Sequence, residues 1–287
     1  MRLTDFINLD LGFYRSQYGD LTQFSDEMLR SHYSGYGYFE GRLSSPYALK
    51  EQFIAQLHGV KTLEIGPFFA PMLRGGNVKY LDVLSTDEMI VRAKSLGGPY
   101  NLVPNIDYVR PDGSLSEIPE KFDAIISSHN LEHQPDLIDH LKNAHRLLTD
   151  GGKYYFVIPH KSYCFDATLP ASKISEIINA HFERRKIHTV GSVIEHRALT
   201  THNDTLRHWS EPPENFFVID PSKVSAAIEE FNNARGSYID VHAWQFTPFS
   251  FSNIINCLIE MKYIPFSSVL VNGPARDRNE FTAVLSR

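Results

Sequence analysis

From Val60 onward the chain alternates short apolar runs with longer mixed stretches. The runs are VKTLEI (60–65), VKYLDVL (78–84), NIDYV (105–109), FDAIISS (122–128) and KYYFVIP (153–159). They are rich in β-branched and aromatic residues and bounded by turn formers, so each predicts a strand. The spacers carry helical periodicity, and strands alternating with helices imply a parallel sheet joined by right-handed crossovers. The clearest helix lies between the last two runs. Leu137, Ile138, Leu141, Ala144 and Leu148 fall on one face, and Asp150-Gly151-Gly152 is expected to end it. A second helix starts at Thr247-Pro248, a good N-cap followed by a good first-turn residue, and runs through Phe251, Ile254, Ile255 and Leu258. Two further strands, PFSSVLV (265–271) and EFTAVLS (280–286), are joined by the turn-rich NGPARDRN, which predicts an antiparallel final pair.

Two segments break this pattern. Residues 1–46 are aromatic (Phe6, Phe13, Tyr14, Tyr18, Phe24, Tyr33, Tyr36, Tyr38, Phe39) and punctuated by glycines, which predicts two or three short helices. So short a piece rarely holds a core alone, and it is expected to dock on the larger domain C-terminal to it. Residues 161–245 hold a helix near 173–185 (Ile174, Ile177, Ile178, His181), a polar loop over 196–216 and a helix near 222–235. An insertion after the fifth strand emerges at the carboxyl end of the sheet, where open α/β folds bind ligands, and so predicts a lid over an acceptor. The expected organisation is a helical module over 1–46 and a catalytic domain over 47–287.

Composition narrows the function classes. With 28 Lys plus Arg against 34 Asp plus Glu the net charge is −6, the reverse of what a duplex nucleic-acid binder carries. The first residues lack the basic and apolar regions of a signal peptide, and no uninterrupted apolar stretch is long enough to span a bilayer, which predicts a cytoplasmic protein. Cys164 and Cys257 are the only cysteines, suiting a reducing compartment and excluding a cysteine-based zinc site.

The first strand runs into LEIGPFFAP, and the second ends with Asp82. In a doubly wound sheet this sets a glycine turn under a bound ligand and a carboxylate within reach of ribose hydroxyls. A tight turn plus a strand-closing Asp is the plainer alternative. The G-x-G-x-x-G that a dinucleotide pyrophosphate needs is absent, which argues against a nicotinamide dehydrogenase.

In this order the motifs resemble those of the class I S-adenosylmethionine-dependent methyltransferases, from about residue 58 to 287. Glu64-Ile65-Gly66 matches the first motif, Asp82 the acid ending the second strand, and Asp112-Gly113 the acid-small pair offered to adenine. SSHNLEH (127–133) is similar to the SSHVLEH that often ends the fourth strand, and LLTDGG to the LKPGG before the fifth. The resemblance implies an α/β fold with a doubly wound, mostly parallel seven-stranded sheet whose last strand is antiparallel. It also implies S-adenosylmethionine as cofactor, held by Glu64, Gly66, Pro67, Asp82, Asp112, Gly113, Ser128 and His129. Phe68 and Ala70 stand where many members have further glycines, so Pro67 and Phe68 are expected to pack on the methionine part.

Methyl transfer to a hydroxyl calls for a base, usually His, or a metal. Of thirteen histidines, His160, directly after the fifth strand, and His242, beside Trp244, are the candidate bases. His133 and His181 read as packing residues. His202 and His208 could pair with Asp204, though a solvated loop is the simpler reading. No spacing amounts to a metal signature, and no metal is assigned. KSYCFDATLPASKISEIINAH and DVHAWQFTPFSFSNII are similar to methyltransferases of bacterial surface glycan assembly. The N-terminal segment, with Gly37, Tyr38, Glu40, Gly41 and Arg42, looks like a module found beside polysaccharide glycosyltransferases. These likenesses imply a sugar or glycan acceptor and a possible glycosyltransferase partner. Tyr163, Trp209, Trp244, Asn203 and Asp204 could serve a sugar by stacking and hydrogen bonding. The expected activity is O-methylation of a sugar hydroxyl. A small-molecule or N-methyltransferase, or an inactive scaffold of polysaccharide assembly, is the alternative.

Overall fold

A computed structural model describes residues 2–211 and 218–287. The end of the polar loop expected over 196–216 therefore lies outside the described residues. Seven strands form one sheet: β1 (Thr62–Ile65), β2 (Val78–Asp82), β3 (Tyr108–Val109), β4 (Phe122–Ser128), β5 (Leu148–Pro159), β6 (Ser268–Val271) and β7 (Glu280–Ser286), in the order β3-β2-β1-β4-β5-β7-β6. β1 pairs in parallel with β2 and β4, β2 with β3, and β4 with β5, whereas β7 runs antiparallel to both β5 and β6. The doubly wound sheet with its reversed last strand is the fold that the motif order implied.

Alternation of side chains across the strands builds two cores. On one face Ile125, Tyr154, Phe156 and Ile158 pack with Leu137, Ile138, Leu141 and Ala144 of α5 (Leu137–Leu147) and with Phe251, Ile255 and Leu258 of α10 (Pro248–Glu260). On the other, Ala124, Ile126, Tyr155 and Val157 pack against Phe53 of α3 (Lys50–Ala55) and Leu57. The helix expected to run to Asp150 ends earlier. Leu148 is extended and already pairs with Phe122, so the strand begins three residues before the first glycine, and Gly151, at φ 78°, lies within it. Leu148 thus completes the sheet rather than the helix.

The N-terminal segment shares the first core. α1 (Leu11–Gln17) and α2 (Asp26–His32), capped by Asp10 and Ser25, are followed by one π turn, and Ile7, Tyr14, Leu21, Leu29 and Tyr33 are buried in the same cluster as β7 and α10. Burial of each such side chain stabilises by about 1.5–3 kcal/mol. Polar contacts close the seam: the Asn8 N–H donates to the Val271 carbonyl at 2.7 Å, and the Ser45 hydroxyl to Asn272 Oδ1 at 2.8 Å. The glycines and Arg42 of the N-terminal motif have local work. A Cβ on Gly37 would lie 2.0 Å from the Tyr14 hydroxyl, and one on Gly41 would meet Arg276 and Trp209 at 2.7 Å. Arg42 bridges Asp20 and Glu40 and covers the Tyr18 ring.

The insertion is more helical than its polar sequence predicts. α6 (Ile174–Phe182) and α9 (Pro221–Ala234) lie at the expected places. α7 (Val190–Ala198) and α8 (Thr205–Ser210), capped by Thr189 and Asp204, occupy stretches with little apolar periodicity. α7 and α9 share a small core of Val193, Ala227, Ile239 and Val241. The remaining helix, α4 (Thr86–Ser95), comes after β2 and starts in a capping box of Ser85 and Glu88. No helix among the described residues is long and apolar enough to cross a membrane.

Gly273 carries the tightest contact of the seam, since a Cβ there would fall 1.8 Å from the Tyr33 hydroxyl. Gly273→Ala is expected to cost about 1–3 kcal/mol, as overpacking does, seen as a lower urea midpoint. An unchanged midpoint would mean that the segment does not seat on the sheet in this way.

Candidate active site

The site is built at the carboxyl edge of the parallel strands. Leaving β1, Gly66 takes φ 68°, a left-handed conformation natural to glycine, and a Cβ there would sit 3.0 Å from the Asn130 amide. Glu64, two residues before this turn, is 1% exposed. Its Oε1 accepts from the Met72 N–H at 2.7 Å and its Oε2 from the Leu73 N–H at 3.1 Å, tying the end of the loop back to the strand. Burial pushes its carboxyl up to about 7 against these two donors. Phe68 comes next at φ 47°, its ring 4.1 Å from that of Phe69 and beneath the Arg92 guanidinium.

Asp82 closes β2. It is 8% exposed, accepts from the Leu84 N–H at 3.2 Å and faces the backbone of Phe68, and burial raises its carboxyl above the ordinary range. Its two oxygens have more acceptor capacity than these contacts use. Beyond β3, Asp112 accepts from the Ser114 N–H at 3.0 Å, and Gly113 turns at φ 67°. Glycine turn, strand-end acid and third-strand acid therefore lie along one edge, an arrangement suited to a nucleoside with ribose hydroxyls and an adenine amine.

At the end of β4 a charged cluster forms. Ser128 accepts from Lys50 Nζ at 3.2 Å, and Lys50 lies 3.5 Å from Glu280. His129, at φ 48° and with its side chain 37% exposed, places Nε2 3.0 Å from Glu280 Oε2. Burial would raise the Glu280 carboxyl, but His129 and Lys50 hold it below the usual range. Because β7 runs antiparallel, its first residue, Glu280, pairs with the last residue of β5, Pro159, and reaches the same edge. This pair is not visible in the sequence pattern. The available signal is that the final strand begins with an acid and reverses direction.

The two expected bases lie inside the protein. His160 is 4% exposed, its Nδ1 accepts the Ser162 N–H at 3.1 Å, and burial pushes it down to about 3. His242 is 5% exposed, with Nδ1 2.7 Å from Asp166 Oδ2, and burial pushes it down to about 4. Neither ring is open to a large acceptor from solvent. Several expected sugar contacts are also committed elsewhere. Trp244 is buried and donates to the Gln134 carbonyl at 2.7 Å, Trp209 stacks on Tyr163 at 3.7 Å, and Asp204 caps α8. His202 and His208 stack on each other at 4.0 Å, and His181 contacts Asp136 at 3.0 Å.

Comparison with known proteins gives one family match. Residues 65–156, from the end of β1 into β5, match the family model of a methyltransferase domain. No curated protein matches the chain. Among solved structures, a putative O-methyltransferase from Nostoc punctiforme is 14% identical over 84% of this chain and 57% of its own, with a TM-score of 0.38. The methyltransferase CcbJ from Streptomyces caelestis is 18% identical over 44% of this chain and 54% of its own, with a TM-score of 0.29. DhpI, solved with SAH, is 13% identical over 96% and 94%, with a TM-score of 0.39. The chain thus spans little more than half of the first two.

Loss of the Asp82 carboxylate tests the cleft. Asp82→Ala is expected to weaken S-adenosylmethionine binding at least about tenfold by calorimetry, the loss of charge-assisted hydrogen bonds worth about 1.5–3 kcal/mol, with the fold retained by circular dichroism. Equal affinity would remove Asp82 from the site. Glycine turn, strand-end acid and family match thus fall on the same strands, and residues 65–156 are those of a methyltransferase domain.

Proposed function

We propose that this protein is an O-methyltransferase that transfers the methyl group of S-adenosylmethionine to a sugar hydroxyl of a bacterial glycan or glycan precursor, in the cytoplasm. The observation that carries the hydroxyl is the His129–Glu280 pair at the end of β4. An imidazole that a carboxylate orients through one nitrogen can take a proton on the other, which is the arrangement of a general base. His129 is exposed where His160 and His242 are buried, so the role of base goes to His129. Lys50 beside Ser128 and Glu280 fixes the carboxylate in position. Gly66, Pro67, Asp82, Asp112 and Gly113 would hold the cofactor, and Glu64 would act through the loop that it anchors. In-line displacement at the sulfonium carbon then needs chiefly alignment of the acceptor oxygen.

The sugar rests on the N-terminal segment and the insertion, whose sequences are similar to proteins of glycan assembly. A cavity of about 500 Å³ in the insertion, lined in part by Ser172, Glu195, Trp244 and Gln245, offers polar groups suited to hydroxyls. A partner glycosyltransferase would find the N-terminal segment already docked on the sheet.

His129→Ala is expected to lower methyl transfer to cell-envelope glycan extracts by about 10²–10⁴-fold while S-adenosylmethionine affinity stays unchanged. Mass spectrometry of surface polysaccharide from cells lacking the protein should reveal residues lighter by one CH₂. An unaltered polysaccharide would exclude the glycan acceptor, and full activity of His129→Ala would exclude this base. Absence of cofactor binding by the wild-type chain would leave only a scaffold.

A further inference from the structure

Next to the proposed base, the 3₁₀ turn Leu131–His133 carries Glu132 into the protein. Glu132 is 1% exposed, and neither carboxylate oxygen has a hydrogen-bond partner. A buried carboxylate without donors is costly. What faces it are two imidazoles: His242 Nε2 lies 3.7 Å and His133 Nε2 3.8 Å from Glu132 Oε1. The opposite nitrogen of each ring contacts its own carboxylate, His242 Nδ1 with Asp166 at 2.7 Å and His133 Nδ1 with Asp240 at 3.1 Å. A carboxylate contact at Nδ1 favours the proton there, which turns the Nε2 lone pair of a neutral ring toward Glu132. With both rings in that neutral form, three acceptors converge with no donor between them.

We propose that Glu132, His133 and His242 form a binding site for a divalent first-row transition-metal ion, with Asp166 and Asp240 orienting the two histidines from behind. Ligand atoms of the three residues lie within 4.8 Å of one another. Nitrogen and oxygen ligands about 2.0–2.1 Å from such an ion stand about 3.4 Å apart in a tetrahedron, so the 3.7 and 3.8 Å pairs must contract by a few tenths of an ångström, and the widest pair, within 4.8 Å, by up to about 1.4 Å, to close the site. Imidazole and carboxylate together suit manganese, iron, cobalt, nickel or zinc, and the carboxylate–histidine–metal relay is the usual outer shell of such sites. The main chain holds the halves together: the N–H groups of Ala243 and Trp244 donate to the Glu132 carbonyl at 2.7 and 3.2 Å. Glu132 and His133 are neighbours, but His242 comes from a segment far along the chain, which is why no local spacing announces the set.

The site is argued independently of the acceptor, and its test uses the purified full chain without cofactor or glycan. After dialysis against a chelator, titration with Co²⁺ should give visible d–d absorption saturating at one ion per chain, and X-ray absorption of the loaded wild type should contain imidazole scattering. Asp166→Asn should weaken Co²⁺ about 10- to 100-fold, and Glu132→Gln more, in variants whose circular dichroism matches the wild type. Substoichiometric binding by the wild type, a spectrum without histidine ligation, or a folded Glu132→Gln variant that binds Co²⁺ as tightly would overturn the proposal.

Discussion

A single buried carboxylate fixes the loop that leaves β1, on which the proposed cofactor cleft depends. Glu64 spends both oxygens on the N–H groups of Met72 and Leu73, so the chain leaving β1 at Gly66 must return to a set place before entering β2. Burial opposes the charge and the two donors favour it, and the carboxyl pushed up to about 7 records that opposition. Within the loop the left-handed turns of Gly66 and Phe68 bring the backbone toward Asp82. Strand-end acid and turn are thereby set against each other before any ligand binds, which is how a site lowers the ordering cost of binding.

The second half of the edge is assembled from the extremes of the sequence. The reversed direction of β7 delivers Glu280 beside His129, and the start of α3 delivers Lys50 to the same cluster. The N-terminal segment packs nearby: its tyrosines share the core with α10 and β7, and its Ser44 and Ser45 bond to Gly273 and Asn272 on the β6–β7 connection. Packing of residues 2–49 and chemistry at the carboxyl edge are therefore linked through one connector.

Much of this architecture is legible in the sequence. The five apolar runs, the amphipathic face of α5 and the Thr247-Pro248 helix start are local signals, and each reports burial directly. α7 and α8 are hidden because their caps and polar faces resemble loop sequence, and their stability comes from tertiary contacts such as the core shared by α7 and α9. Local position misleads at the histidines. His160 stands just past a strand end and His242 precedes a helix, yet the insertion folds back and buries both, as the Lys161 N–H bonded to the Phe246 carbonyl illustrates. His129 is legible only as part of SSHNLEH, since its partner Glu280 is brought in by sheet topology and not by sequence proximity.

The arrangement of Gly66, Asp82 and Asp112 along the carboxyl edge is most directly tested by a crystal structure of the chain with S-adenosylhomocysteine. The account predicts the ribose hydroxyls on the Asp82 carboxylate, the adenine near Asp112 and the sulfur toward His129. A nucleoside bound away from the ends of β1 and β2, or with its ribose out of reach of Asp82, would contradict it.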